Sequence, residues 1–211
     1  PGGVRTTTPF ALPPLGEFTV DAWGTAFDRL GSGLVNSALM AVPATVLSAL
    51  FGSLAAYGLT NLDWRGQVGV LLLFVAGVFI PYQAVLVPLT QFWSFVDLAG
   101  RLPISAVDQY EGLINLSITH VAYGVPICTV LFRSYYATID DEMLEAARLD
   151  GASAATIYRR IVLPLSVPIF AVTLIYQFTQ IWNDLLFAIV LVSDPSNQVV
   201  TVALNQLQGS F

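Results

Sequence analysis

Long stretches without a charge constrain this chain more than any other feature. Residues 31–62 and 66–96 contain no Asp, Glu, Lys or Arg, and neither does the shorter 112–132. A fourth stretch begins near Ile161, is interrupted by Asp184 and resumes to Val192. An α-helix crosses the hydrocarbon of a bilayer in about 20 apolar residues. Lipid offers the backbone no hydrogen-bond partner, so each span has to pair its own N–H and C=O groups. The chain is therefore predicted to be all-α, a polytopic membrane helix bundle with four spans near 33–60, 67–92, 112–134 and 164–192. Only 10% of its residues are charged, against about 25% in soluble proteins.

Within the first span Ala44, Ser48, Gly52 and Ala56 recur every four residues. That spacing places small side chains on one face, where a neighbouring helix can approach closely, and it reads as a packing face. Pro43, Pro81, Pro88 and Pro126 fall inside spans, where membrane helices tolerate proline at the cost of kinks. Arginine sets the orientation. Residues 133–163 hold Arg133, Arg148, Arg159 and Arg160, whereas 97–111 hold Arg101 beside Asp97, Asp108 and Glu111. Excess arginine marks the cytoplasmic side. The loop 135–163 and the turn bearing Arg65 are thus expected inside, and residues 1–30, 97–111 and 193–211 outside.

All eight basic residues are arginine. Without lysine there is no Walker A phosphate loop and no Schiff-base chemistry, so no ATPase activity, catalytic residue or resident cofactor is expected. The sequence shows no metal-ligand set and no G-x-S-x-G nucleophile motif, and no nucleic-acid partner is expected of a chain with net charge −6. His120 stands alone in the third span and reads as a hydrogen-bonded packing residue. Cys128 is the single cysteine and cannot form an internal disulfide. The acidic, arginine-only balance resembles that of proteins from salt-loving organisms. The abrupt start and stop point to a piece of a longer protein.

Residues 139–168, IDDEMLEAARLDGASAATIYRRIVLPLSVP, are too polar to cross lipid. Asp140, Asp141 and Glu142 suit the positive end of a helix dipole, and Met143, Leu144, Ala146, Ala147 and Leu149 form helix well. Asp150-Gly151 supplies a break, and Ser153 suits the cap of a second helix carrying Tyr158, Arg159 and Arg160. Physics alone leaves two readings level: a connector lying on the inner lipid surface, or a short small-residue helix lodged in a partner's groove. The string Glu145-Ala146-Ala147, Asp150-Gly151-Ala152, Ile161, Leu163-Pro164-Leu165 and Pro168 resembles the EAA loop of binding-protein-dependent ABC importer permeases. The resemblance implies the MetI-like fold and makes Glu145, Ala146, Ala147, Asp150 and Gly151 the ATPase-coupling residues. It also implies an ABC ATPase dimer that uses the ATP, a second permease subunit in a heterodimer, an extracytoplasmic solute-binding protein and a multi-pass location in a prokaryotic cell membrane. Permeases of this kind usually carry one helix before and one after these four spans, so a six-helix subunit is expected.

The run Trp182-Asn183-Asp184, then 185–192, 193–197 and Thr201 to Gln208-Gly209, is similar to that of carbohydrate importer permeases related to the maltose system's smaller permease. That likeness implies a sugar as cargo. Gln177, Gln180 and Asp184 are spaced i, i+3 and i+7, with Tyr176, Asn183 and Phe187 beside them. The third span offers Asn115, Thr119 and Tyr123 at four-residue steps. Amides and carboxylates meet sugar hydroxyls, and aromatic faces cover the apolar side of the ring. A carboxylate inside a span costs a few kcal/mol unless it faces protein or water. These residues fit a translocation pathway and polar helix packing equally well. An importer of another small solute is the nearest alternative; an ion-coupled secondary transporter using Asp184 would give the EAA-like loop no role.

Overall fold

The computed structural model describes residues 21–102 and 104–208, and every regular element among them is a helix. The expected outer segment 1–30 therefore lies mostly outside the described residues, as does Gly209. The helices are α1 (Asp21–Thr60), α2 (Gln67–Val78), α3 (Tyr82–Val96), α4 (Leu98–Arg101) and α5 (Ser105–Tyr136). They continue with α6 (Asp141–Leu149), α7 (Ala154–Ile157), α8 (Leu163–Leu165), α9 (Val167–Trp182), α10 (Leu186–Leu191) and α11 (Val200–Gln208). A π-type turn, Tyr158–Val162, joins α7 to α8.

Leu30–Thr60 and Ser105–Tyr136 are each long and apolar enough to cross a membrane. The second and fourth apolar stretches are bent: α2 meets the Tyr82–Arg101 segment at 101°, and Ala154–Leu165 meets α9 at 76°. Proline accounts for the first bend. Pro81 caps α3 with an extended backbone, lacks an N–H for a continuing helix and drives Ile80 away from helical backbone. Pro43, Pro88 and Pro126, by contrast, lie inside continuing helices, so only one of the four prolines sits at a break. The non-helical residue within α5 is Tyr110, at φ −115° and ψ 19°.

The stretches read as outer loops carry more structure than expected. Residues 98–101 form α4 and 105–111 the first turns of α5, where Asp108 complements the helix dipole. Residues 196–200 fold back on α1: Ser37 Oγ accepts from the Val200 N–H at 2.9 Å, and Asn36 Nδ2 donates to the Ser196 and Gln198 carbonyls at 3.0 Å. Val199 and Val202 bury in the apolar cluster with Met40 of α1, and the three hydrogen bonds satisfy polar groups that this burial takes from water.

α1 and α5 form the spine of the bundle, with α9 and α11 packed on α1. Ala44, Ser48, Gly52 and Ala56 are all buried. A Cβ on Gly52 would lie 2.9 Å from Cys128 C and Thr129 N, so the two backbones touch where the small face predicts a close approach. Two apolar clusters run along the bundle, and the second includes this waist. One gathers Met40, Leu116, Ile181 and Phe187; the other gathers Cys128, Phe132, Tyr136, Leu144, Ile157 and Val162. Large side chains such as Leu73, Phe95 and Ile175 remain 70% or more exposed, as suits faces turned to hydrocarbon.

Candidate functional site

At the end of the bundle that carries Arg133, Arg148, Arg159 and Arg160, α6 and α7 make a helical knuckle. Asp140 Oδ1 accepts the Glu142 N–H at 2.9 Å and starts α6. After Leu149 the chain turns through Gly151 at φ +82°, a conformation that favours glycine. The Gly151 N–H donates to Arg148 O and the Ala152 N–H to Ala147 O, both at 3.0 Å, the paired bonds of a Schellman stop. Ser153 Oγ then accepts the Thr156 N–H at 3.3 Å and opens α7.

The knuckle is bolted to the bundle from one side and open on the other. Leu144 and Ile157 are each 1% exposed and sit in the apolar cluster with Phe132 and Tyr136. Ser53 Oγ is 2.6 Å from Tyr136 Oη and 2.7 Å from Tyr158 Oη. Tyr57 Oη donates to Ala154 O at 3.0 Å, and its ring lies 5.1 Å from that of Tyr158. Arg148 Nη2 donates to Asn61 O at 2.7 Å, tying α6 to the turn after α1. The opposite face presents Glu145, Ala146, Asp150 and Gly151, all exposed, with Leu149 83% exposed. Ala147 is half-buried against the core. The arrangement is a small-residue helix edge on a rigid mount. The Ser53–Tyr136–Tyr158 anchor went unnoticed in the sequence; three hydroxyls spread over a hundred residues give no local signal.

The second group of expected residues is divided by the structure. α9 ends at Trp182, and Asn183 folds its Nδ2 back to Thr179 O at 2.8 Å. Asp184 therefore lies past the helix, and the i, i+3, i+7 face does not form. Gln177 is buried between α5 and α9: its amide occupies the space a Gly124 side chain would need, and its Oε1 is 3.9 Å from Cys128 Sγ. Tyr176, Gln180 and Asn183 are exposed.

Asp184 turns inward instead. Its Oδ2 accepts the Ala188 N–H at 3.3 Å, which opens α10, and lies 3.5 Å from His120 Nε2, with 6% of each side chain exposed. That separation is long for a hydrogen bond and short enough for ionic attraction whenever the imidazole is protonated. Thr201 Oγ1 donates to Asp184 O at 2.8 Å. Phe187 is fully buried, its ring 5.7 Å from His120, 5.1 Å from Tyr123 and 5.0 Å from Tyr82. Along the same helix as His120, Thr119 Oγ1 donates to Asn115 O at 2.7 Å and accepts from Trp93 Nε1 at 3.0 Å. Asn115, Thr119 and Tyr123 thus follow one another along α5, the first two buried and Tyr123 half-buried, while Asp184 meets the same helix at His120 and Gln177 joins the helix contacts. Among the described residues no group of three or more His, Cys, Asp or Glu is placed to hold a metal ion.

The structure is a helical bundle with spans long enough to cross a membrane and an exposed small-residue helix edge at its arginine-rich end. The model of the family "Binding-protein-dependent transport system inner membrane component" matches residues 32–211. The xylose/arabinose import permease protein XacI of Haloferax volcanii is 49% identical over 98% of this chain and 70% of its own length. The osmoprotective compounds uptake permease protein GgtD of Synechocystis is 32% identical over 95% of the chain and 70% of its length. The alpha-glucoside transport system permease protein AglG of Rhizobium meliloti is 36% identical over 99% of the chain and 53% of its length. The chain belongs to the inner-membrane permease components of binding-protein-dependent transport systems.

Proposed function

We propose that this chain is the translocating subunit of an ATP-driven importer, and that its cargo is a sugar delivered by an extracytoplasmic binding protein. The knuckle carries this reading: Glu145, Ala146, Asp150 and Gly151 are exposed on a helix whose other face is fixed by Leu144, Ile157 and the Ser53–Tyr136–Tyr158 hydroxyls. A displacement imposed on such an edge by an ATPase dimer passes into α1 and α5 instead of being absorbed locally. Hydrolysis belongs to that partner, since a chain without lysine has no Walker A loop. A second, different permease subunit completes the pathway. The arginine-rich knuckle faces the cytoplasm and the acidic end faces outward, following the bias of arginine toward the inner side.

The sugar reading draws support from the relatives named for xylose/arabinose and alpha-glucoside transport. Asn115, Thr119, Tyr123 and Asp184 supply amide, hydroxyl, aromatic and carboxylate groups to the polar interior. A relative named for osmoprotective compounds favours a second reading, in which the same machine moves another small solute. The Haloferax volcanii relative and the acidic, lysine-free composition support a salt-rich prokaryotic setting.

Gly151→Pro in the full-length subunit tests the coupling. Proline is locked near φ −65° and cannot adopt the +82° of Gly151. The expected outcome is loss of ATPase co-purification, or ATP hydrolysis that no longer drives uptake, with the subunit still in the membrane. Normal uptake from this variant would sink the coupling assignment.

A further inference from the structure

The exposed surface of α9 is divided by polarity. At about 3.6 residues per turn, Tyr176, Gln180 and Asn183 fall on one side of that surface and Ala171 and Ile175 on the other, all five exposed. The apolar side adjoins α1, where Ile175 and Phe178 wall a groove with Val42 and Val46. The polar side turns toward the start of α3. Tyr82, 39% exposed, stands within electrostatic reach of Tyr176 and Asp184, its ring 5.0 Å from those of Tyr123 and Phe187. Two contacts fix the depth of this patch. Gln177, next to Tyr176, fills the space beside Gly124 near the middle of α5, and Tyr82 rests on Tyr123, the residue before Gly124.

Lipid does not suit such a patch. The Tyr82 and Tyr176 phenols and the Gln180 amide make no hydrogen bond among the described residues, and Asn183 spends only its Nδ2, on Thr179 O at 2.8 Å. Exposed amides in hydrocarbon lose the partners that water gives them. Elsewhere the bundle follows that rule: every exposed residue of α1 from 34 to 54, and every exposed residue of α2, is apolar. The accessible groups of the patch are also uncharged. Asp184 lies beside them with 6% of its side chain exposed and its Oδ2 directed at His120 and the Ala188 N–H, so an ion of either sign finds no exposed counter-charge. Amides and phenols both donate and accept, as a hydroxyl-rich molecule requires, and two rings are available for its C–H face. We propose that Tyr82, Tyr176, Gln180 and Asn183 form a water-facing wall at mid-depth that receives a neutral sugar as it crosses the membrane. The proposal rests on the importer reading and gives it accessible residues on α3 and α9.

The test holds the complete importer in nanodiscs with a non-hydrolysable ATP analogue. Labelling of introduced cysteines by a hydrophilic maleimide is followed, the parent with its buried Cys128 supplying the background. Gln180→Cys and Asn183→Cys should label several-fold faster than Ile175→Cys on the apolar side of the same helix. Millimolar D-xylose, D-glucose or maltose, whichever the importer takes up in cells, should slow labelling of Asn183→Cys several-fold and saturably. Gln180→Leu or Tyr82→Leu in that background should abolish the slowing, and Tyr82→Phe should keep most of it. Labelling as slow at Gln180→Cys and Asn183→Cys as at Ile175→Cys means that lipid or a protein partner covers the patch, which overturns the proposal and leaves the importer reading standing. Fast labelling that an imported sugar leaves unchanged does the same, as does slowing by glycine betaine in place of any sugar. Should Tyr82→Leu fail to assemble, Gln180→Leu decides alone. If the parent imports none of the three sugars, the sugar reading falls and the proposal with it.

Discussion

The two ends of this bundle are built from different chemistry. The inner end is closed: aromatic rings and aliphatic side chains pack around Phe132, Tyr136, Leu144 and Ile157, and Ser53 joins the hydroxyls of Tyr136 and Tyr158. The outer end is open: carboxylates, a buried amide without a partner and a loop folded onto α1 surround two clefts. Close-packed interiors transmit displacement with little compression, whereas the clefts at the outer end leave their walls without such packing. The two ends thus differ in both packing and polarity. They meet at a waist where Gly52 and Cys128 bring the α1 and α5 backbones into contact.

The waist is where the comparison breaks most easily. Gly52→Ala would place a methyl 2.9 Å from Thr129 N, and only separation of the two helices relieves that clash. Overpacking of this kind costs about 1–3 kcal/mol, so the solubilised full-length subunit should lose several degrees of thermal stability. Gly58→Ala, on the same helix with nothing within 4 Å, should be neutral or slightly stabilising because alanine favours helix. Equal melting of the two variants would remove the waist from the account.

A smaller effect is expected at the boundary between the ends. Asp184→Asn keeps an oxygen for the Ala188 N–H but removes the charge beside His120. The amide is isosteric and keeps an acceptor, so the cost is that of weakening one hydrogen bond, about 0.5–1.5 kcal/mol. Uptake should fall while ATPase association, which belongs to the other end, is unchanged. An Asp184→Asn importer with normal rate and affinity would return this residue to a packing role.

The smallest effect concerns the outer loop. The Ser196 N–H and hydroxyl donate to Asp194 Oδ1 at 2.9 and 2.8 Å and hold this exposed carboxyl below its ordinary pKa. A depressed folded value means the stabilisation is present above the usual carboxylate range and is lost as pH falls through the folded pKa. Ser196→Ala removes the hydroxyl and should raise the Asp194 pKa part of the way to its ordinary value, as read by NMR titration. No change would mean that the backbone N–H alone sets the loop.

Much of this architecture is legible in the sequence, for reasons that separate by range. The α1 packing face is written in Ala44, Ser48, Gly52 and Ala56, because size and a four-residue period are local properties. The stop at Gly151 is equally local: only glycine adopts that backbone cheaply, and its neighbours supply the caps. The face proposed for Gln177, Gln180 and Asp184 fails because helical spacing was carried past Trp182, where Asn183 and Asp184 satisfy helix ends instead of extending one. Proline presence alone does not mark bends either, since Pro43 and Pro126 lie within continuing helices and Pro81 lies at a break. The proximity of His120 to Asp184, and the unpartnered Asn115 oxygen, depend on contacts between distant segments and have no signature in residue order.

The most direct measurement compares the two ends in one protein. Ala146→Cys places a thiol on the exposed edge of α6, and Ser94→Cys places one at the outer end; both positions are exposed. Each is labelled with a hydrophilic maleimide in the full-length permease, with and without its ATPase dimer. The account predicts that the ATPase strongly protects position 146 and does not shield position 94. Equal labelling of Ala146→Cys in the presence and absence of a bound ATPase would contradict the claim that the knuckle is where force enters this subunit.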